Sequence, residues 1–242
     1  MQAEEENPHQ PITRFDNISL HAEKLSFHFP DQSGQFLRDI SLMIDQGEKI
    51  VLQGQNGAGK TTLLRILSGL LKPQSGSFFI NDDSYNRIDL QRYRSHIGII
   101  INGETPFEGT IRENITFNDP TITDSDLAWA LQAVQLGSYI RSLPMGLETP
   151  IFPEGKQLSS SNAKKILLAR SIIHRPLLLF LEDPTDTMDD DAAKSIINFL
   201  MGEPQWTVIV TAKNAHWQAH ASRIITMQEG RIINDKKTKS HA

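Results

Sequence analysis

A glycine-rich stretch in the first quarter of the chain has the residue types and spacing needed to hold phosphate groups. Residues 54–61 read G-Q-N-G-A-G-K-T, which fits the pattern G-x-x-x-x-G-K-[ST]. The glycines let backbone N–H groups close around phosphate oxygens, the lysine adds a positive charge, and the threonine hydroxyl suits a magnesium ion. The alternative is a glycine-rich turn that binds nothing. We predict a phosphate site at Gly54, Gln55, Asn56, Gly57, Ala58, Gly59, Lys60, Thr61 and Thr62.

Two adjacent acids, Glu182 and Asp183, end the apolar run L-L-L-F-L at residues 177–181. Acids at the end of a buried strand are costly unless a positive group meets them. If this strand lies parallel to the one before the glycine loop, both end at the edge of the sheet where ligands bind. A magnesium nucleotide there would neutralise the two carboxylates. The alternative is a pair of exposed acids that open a turn.

The order of the predicted elements favours an α/β fold. The apolar strand K-I-V-L-Q, at residues 49–53, runs into the glycine loop and then into a helix over residues 60–71. Later strands at residues 177–183 and 207–212 alternate with helices, which is typical of a parallel sheet. The alternating strands before residue 80 predict an antiparallel layer, and residues 103–175 read as a helical insertion in which Thr123 caps a helix.

Composition excludes several classes of protein and site. The net charge of −5 gives no reason to expect a nucleic acid partner, and the absence of cysteine excludes disulfides and cysteine metal sites. No run approaches the roughly 18 apolar residues that a membrane span needs. The eight histidines show no metal-ligand spacing, so no zinc site is predicted.

In its motifs the chain resembles the nucleotide-binding domain of an ABC transporter of the exporter type. The resemblance covers residues 18–234 and keeps the family's order of motifs: G-Q-N-G-A-G-K-T-T, F-E-G-T-I-R-E-N-I, L-S-S-S-N, L-F-L-E-D-P-T and the closing hairpin R-I-I-T-M-Q-E-G-R-I. It implies ATP and Mg²⁺ as ligands. It also implies a P-loop NTPase core of the RecA-like type with an antiparallel β layer and an inserted α-helical subdomain.

This fold class suggests five segments. Residues 1–17 are expected to be a linker, and residues 18–102 the first part of the ATP-binding core with its β layer. Residues 103–175 would form the helical subdomain that carries the signature segment, and residues 176–236 the second part of the core. The last residues, 237–242, are expected to be a tail.

The resemblance also implies roles for single residues. Phe29 would stack on adenine; the alternative is a core aromatic with no adenine contact. Glu182, Thr61 and Asn102 would face the metal, Asp183 would polarise the attacking water, and Lys213 stands where the family has its switch histidine. In the signature segment, Ser159 and Ser161 would contact the nucleotide of a second copy of the domain.

Several of these positions depart from the family pattern. The family has Asp-Glu where this chain has Glu182-Asp183, and the reversal moves each carboxylate by about 1.5 Å, one C–C bond. Catalytic placement tolerates only about 0.5 Å. Lys213 replaces a histidine, Asn102 a glutamine, and Ser160 and Ser161 two glycines. All these changes affect the sensing of the terminal phosphate and the activation of water, whereas the ATP-holding loop is intact. The alternative is that each change is a tolerated variant and that activity is kept.

Three functions are compatible with these features. The first is the ATPase domain of an ABC exporter, which pairs head to tail with a second such domain and drives membrane domains from the cytoplasmic face of the inner membrane, with reduced turnover. The second is a nearly silent nucleotide-binding partner in a heterodimeric transporter. The third, an ABC protein that acts on nucleic acid, is disfavoured by the acidic charge and by the exporter-like segment F-E-G-T-I-R-E-N-I.

Overall fold

The computed structural model describes residues 15–29 and 36–238. Its strands are β1 (Leu20–Phe27), β2 (Leu37–Ile44), β3 (Lys49–Gln53), β4 (Ser75–Ile80), β5 (Asp83–Ser84), β6 (Ile97–Ile100), β7 (Gly109–Thr110), β8 (Pro150–Ile151), β9 (Leu178–Glu182), β10 (Thr207–Thr211), β11 (Arg223–Gln228) and β12 (Arg231–Lys237). Its α-helices are α1 (Lys60–Leu67), α2 (Leu90–Ser95), α3 (Ile111–Thr116), α4 (Asp124–Ala133), α5 (Gly137–Ser142), α6 (Ser160–Ile172), α7 (Asp190–Gly202) and α8 (Ala215–Ala219).

A six-stranded sheet with the order β12-β11-β3-β10-β9-β6 forms the centre of the fold. Its strands are parallel except for β12, which pairs antiparallel with β11. Every residue of β9 is buried, as expected for a strand covered on both faces. Alternate residues of β9 point to opposite sides, so that Leu179 and Leu181 join one apolar core while Leu178 and Phe180 join the other. The predicted parallel sheet is confirmed.

A second, antiparallel sheet with the order β2-β1-β4-β5 covers one side of the molecule. Its inward side chains pack with α1 and with one face of the central sheet in a shared core. Strand β1 carries register shifts on both of its edges near Lys24, which has a left-handed φ of 49°. The predicted antiparallel layer is confirmed, with β5 as an addition.

Helices α3 to α6 form the inserted helical subdomain, and the predicted cap of α4 at Thr123 is confirmed. Thr123 caps α4 and exchanges hydrogen bonds with Asp126, and Thr110 caps α3 with Glu113 in the same way. Helix α1 ends at Leu67, earlier than predicted, because Gly69 turns left-handed with a φ of 73°. Helix α2 and the short pair β7 and β8 were not predicted.

The chain is tightly packed where α6 crosses the central sheet. At Gly98 in β6, an added Cβ would lie 2.2 Å from the Ser171 carbonyl oxygen and 2.5 Å from Cδ2 of Leu179. Only glycine allows this close approach of strand and helix. Because α6 carries the signature segment at its N-terminus, this contact sets where that segment lies relative to the sheet.

The predicted ends of the chain lie mostly outside the described residues, so the division into linker, core, subdomain and tail stays a prediction. Phe15, near the end of the predicted linker, is buried and packs edge-on against Tyr93 and His96. Within residues 15–29 and 36–238, no helix has the length and apolar character needed to cross a membrane.

We expect Gly98→Ala to lower the free energy of unfolding by about 1–3 kcal/mol, because the added methyl group overpacks the contact between β6 and α6. Gly202→Ala is the matched control, since a Cβ at this last residue of α7 meets nothing within 4 Å. The control should be neutral or stabilising by roughly 0.5–1 kcal/mol. Urea unfolding measures both variants, and equal stability of the two would contradict the packing account.

Candidate nucleotide-binding site

A cleft of about 470 Å³ opens at the carboxyl ends of β3 and β9. It brings together most of the predicted site residues, although they come from distant parts of the chain. The lining residues are Phe29, Phe36, Asn56, Gly57, Gly59, Lys60, Thr61, Thr62, Arg65, Asn102, Glu182, Asp183, Thr211 and Lys213.

The glycine loop between β3 and α1 depends on backbone conformations that only glycine adopts without strain. Gly54 has a φ of 146°, and a Cβ there would lie 2.2 Å from the Met227 carbonyl oxygen. Gly57 has a φ of 82° and a Cβ there would meet open space. These left-handed glycine conformations let the loop fold tightly between β3 and α1, as a phosphate cradle requires.

Lys60 is the first residue of α1, and its ammonium group lies over the loop. It donates to the carbonyl oxygens of Gly54 at 2.8 Å and Gln55 at 2.9 Å. An ammonium group has three donors, so one remains available for a ligand oxygen. Gln55 and Ala58 do not line the cleft themselves. They close the loop through a hydrogen bond from the Ala58 N–H to the Gln55 carbonyl at 3.1 Å.

Glu182 is buried at the end of β9, where its carboxylate joins two other segments. One oxygen, Oε1, accepts a hydrogen bond from the Thr61 hydroxyl, and the other, Oε2, accepts from the Asn102 N–H at 3.0 Å. Hydroxyl and carboxylate oxygens are the ligands that Mg²⁺ prefers, so Thr61 and Glu182 fit the predicted metal site. The described residues contain no cluster of three or more histidine, aspartate or glutamate side chains suited to a metal ion, so a metal here would depend on the nucleotide for further ligands.

Asp183 follows Glu182 in a left-handed conformation with a φ of 42°, which is unusual for a residue other than glycine. Its N–H donates to the Thr211 carbonyl at 2.8 Å. Burial raises the pKa of its carboxyl, and the negative charge of Asp186 raises it further, whereas the positive charge of Lys213 opposes this rise. Asp183 and Lys213, which carry opposite charges when both are ionised, therefore lie near each other in the lining of the cleft.

Aromatic rings close the opposite end of the cleft. Phe29 is half-buried and packs edge-on against Phe27 at 4.9 Å and against Phe36 at 5.2 Å between ring centroids. Phe29 therefore contacts the core of the β layer and also lines the cleft, and its stacking on adenine stays a prediction. A planar base could stack on such an apolar surface.

The two signature serines are not brought to this cleft. Ser159 is exposed and caps α6, where its hydroxyl accepts a hydrogen bond from the Asn162 N–H at 3.1 Å. Ser161 lies in the first turn of the same helix. Neither serine lines the cleft of its own chain. Their predicted contact with a nucleotide would therefore require a second copy of the domain.

Three residues of the cleft were missed in the sequence. Phe36 comes directly before β2, and a second aromatic residue close to Phe29 was the available signal. Arg65 stands four residues after Thr61 and so lies on the same face of α1. Thr211 is the last residue of β10, the strand between β3 and β9, and a polar residue at that sheet edge could have been anticipated.

Comparison with known proteins agrees with this geometry. The family model described as ABC transporter matches residues 37–186, which is more than half of the chain. ATP-dependent permease MDL1 of Candida albicans is 32% identical over 228 residues, and the match covers 91% of this chain and 33% of that protein. The probable microcin-H47 secretion/processing ATP-binding protein MchF of Escherichia coli is 28% identical over 225 residues, which cover 93% of this chain and 32% of that protein. The chain thus spans about a third of the length of these relatives.

The fold also matches a solved structure, that of a bacterial Atm1-family ABC exporter with ATP bound. The TM-score is 0.87 at 22% sequence identity, and the match covers 96% of this chain and 40% of that one. At this identity the likeness establishes the P-loop NTPase fold with its helical subdomain. Together with the family match, it shows that the chain belongs to the ABC transporter family, of which it carries the ATPase domain.

Proposed function

We propose that this chain is the nucleotide-binding domain of an ABC exporter, which binds ATP with Mg²⁺ and couples its binding and hydrolysis to transport across a membrane. The observation that carries the proposal is the single cleft in which the glycine loop, Thr61, Glu182 and Asp183 converge beside Phe29. The relatives named as permease and secretion proteins support the coupling to transport.

In this proposal the phosphates of ATP bind the N–H groups of the glycine loop and the ammonium group of Lys60. The positive N-terminal end of α1 faces the same anion, which adds to the attraction. The Thr61 hydroxyl and the Glu182 carboxylate hold Mg²⁺, with Asn102 as a further contact. When bound, the metal supplies positive charge that offsets the charge of the phosphates.

Asp183 is the candidate base for the attacking water, and Lys213 is the candidate contact to the terminal phosphate. A base is effective when its pKa is raised towards the working pH, and burial moves Asp183 in that direction. Its side chain is one methylene shorter than the glutamate that the family has here, so turnover should be low.

The signature serines lead to the proposed partners. Ser159 and Ser161 lie on the N-terminal turn of α6, outside the cleft of their own chain. A second nucleotide-binding domain, docked head to tail, would complete each site with the serines of the other. The membrane domains of the transporter would bind the same pair at the cytoplasmic face of the inner membrane.

A second candidate function is a nearly silent partner in a heterodimeric transporter. The order Glu182-Asp183, the lysine at position 213 and the serines at 160 and 161 favour it, because all of these affect hydrolysis rather than ATP binding. The two functions differ in turnover. A purified dimer that hydrolyses ATP at about 1 s⁻¹ or faster lies within the usual enzyme range and would exclude the silent partner.

We expect Lys60→Ala to weaken MgATP binding by about 10- to 100-fold, because one charge-assisted hydrogen bond contributes about 1.5–3 kcal/mol. Titration calorimetry measures the affinity. Lys72→Ala is the matched control, since Lys72 is exposed and lies outside the cleft. Equal affinity of Lys60→Ala and wild type would contradict the phosphate site.

We expect the exchange of the two acids, Glu182→Asp with Asp183→Glu, to raise the turnover number for ATP at least tenfold. The longer side chain at 183 restores the roughly 1.5 Å of reach that the reversal removed. A steady-state phosphate-release assay at saturating ATP measures turnover, so that a weaker contact between the shorter acid at 182 and Thr61 does not enter the comparison. Asp45→Glu, an acid lengthened in an exposed turn, is the control. A fall in turnover with unchanged binding would show that the order Glu182-Asp183 is the active one.

A further inference from the structure

A lysine of the helical subdomain reaches the end of β9 from outside the nucleotide cleft. Lys164 lies in the second turn of α6, and its side chain is only 16% exposed. Its ammonium group donates to the Asp183 carbonyl oxygen at 3.2 Å and lies 3.6 Å from Oδ1 of Asp186. The neighbouring Lys165 instead points to the Gln135 carbonyl at 3.4 Å.

Three acidic residues lie near Lys164. Asp183 and Asp186 belong to the turn after β9, while Glu104 belongs to the loop after β6. Burial raises the pKa of Glu104, and a hydrogen bond from the Ile101 N–H, followed by the positive charges of Arg170 and Lys164, counteracts this rise. Lys164 is therefore a largely buried cation at the junction of three segments, and none of the predicted site roles uses it.

The hydrogen bond from Lys164 to the Asp183 carbonyl bears on the cleft, because it involves the backbone of a residue that lines the cleft. Asp183 is in the left-handed region, where a residue with a Cβ is strained and persists only when its surroundings hold it. Its N–H donates to the Thr211 carbonyl at 2.8 Å, and its own carbonyl accepts from Lys164 at 3.2 Å and, within the turn, from the Asp186 N–H at 3.5 Å. The sheet therefore holds one peptide group of this turn, and α6 supplies the shorter of the two hydrogen bonds to the other.

We propose that Lys164 is a positioning residue that holds Asp183 in its left-handed turn and so keeps the Asp183 carboxylate on the wall of the cleft. The proposal rests on the proposed function for the role of that carboxylate in hydrolysis. The contact also connects two parts of the proposed dimer site within one chain. The helix that carries Ser159 and Ser161 contacts the turn that carries Asp183.

The competing explanation is that Lys164 only forms ion pairs with the neighbouring acids. Thermal unfolding of a set of double mutants, here called the thermal cycle, distinguishes this explanation from the proposal. Lys164→Met is combined with Asp183→Asn, which removes the charge but keeps the Cβ, and with Asp183→Gly, which also removes the strain of a positive φ. We expect Lys164→Met to lower the melting temperature by about 4 °C in the Asn background and by less than about 2 °C in the Gly background. Equal losses in both backgrounds would overturn the proposal.

The second readout is the ATPase reaction. Lys164→Met should lower kcat at least tenfold and leave KM for ATP within twofold, because the phosphate loop is untouched. Lys164→Arg should restore most of the loss, and Lys165→Met, the adjacent lysine, should cause none. A rise in KM with unchanged kcat would overturn the proposal. If Lys164→Met does not fold, Lys164→Gln, which keeps a donor for the carbonyl, takes its place in both assays.

Failure of the proposed function would be detected by a different measurement. Wild-type protein that binds no ATP in calorimetry would remove the role of the cleft, whatever Lys164 does. The thermal cycle needs no nucleotide, so it still decides whether Lys164 holds the turn at Asp183. If wild-type turnover is below detection while ATP binds, the thermal cycle alone decides the proposal.

Discussion

The buried carboxylate of Glu182 holds together the segments from which the candidate nucleotide cleft is built. It accepts hydrogen bonds from the Thr61 hydroxyl at the start of α1 and from the Asn102 N–H after β6. Strand β10 lies between β3 and β9, so the two strands that end at the cleft are about 9–10 Å apart. Glu182 reaches Thr61 because the glycine loop carries the chain from the end of β3 to the start of α1, beside the end of β9. Its carboxylate is thus a direct hydrogen-bonded connection between the phosphate loop and the acidic edge of the sheet.

Positive groups lie near the two acids at the end of β9. Lys60 lies over the glycine loop and lines the same cleft as Glu182, and the positive charge of Lys213 acts on Asp183. Lys164 approaches the same turn from the helical subdomain. These cations offset the cost of two neighbouring acids at the end of a buried strand, which is the electrostatic problem that the sequence L-F-L-E-D poses.

The layers of the fold could be read from the sequence because they follow from periodicity and from strong local signals. Continuous apolar runs marked the buried strands β3 and β9, and Thr123 with Asp126 marked the start of α4. The phosphate loop could be read for the same reason, since its glycines and Lys60 are adjacent in the chain. These features depend on neighbours within a few residues, which a sequence displays directly.

Features that depend on distant contacts could not be read in this way. The close approach at Gly98 involves Ser171 and Leu179, and the left-handed turn at Asp183 depends on Thr211. Lys164 is one of two adjacent lysines in the sequence, and only tertiary packing brings it to the turn after β9. Side-chain length and charge are visible in a sequence, but the partner that satisfies them is set by tertiary packing.

A crystal structure of the protein with Mg²⁺ and a non-hydrolysable ATP analogue tests the central claim most directly. The account predicts density for the triphosphate over the glycine loop, with its terminal phosphates in hydrogen-bond contact with Lys60 and the metal between Thr61 and Glu182. An analogue bound elsewhere on the protein, or an empty loop at saturating analogue together with no heat of binding in calorimetry, would contradict it.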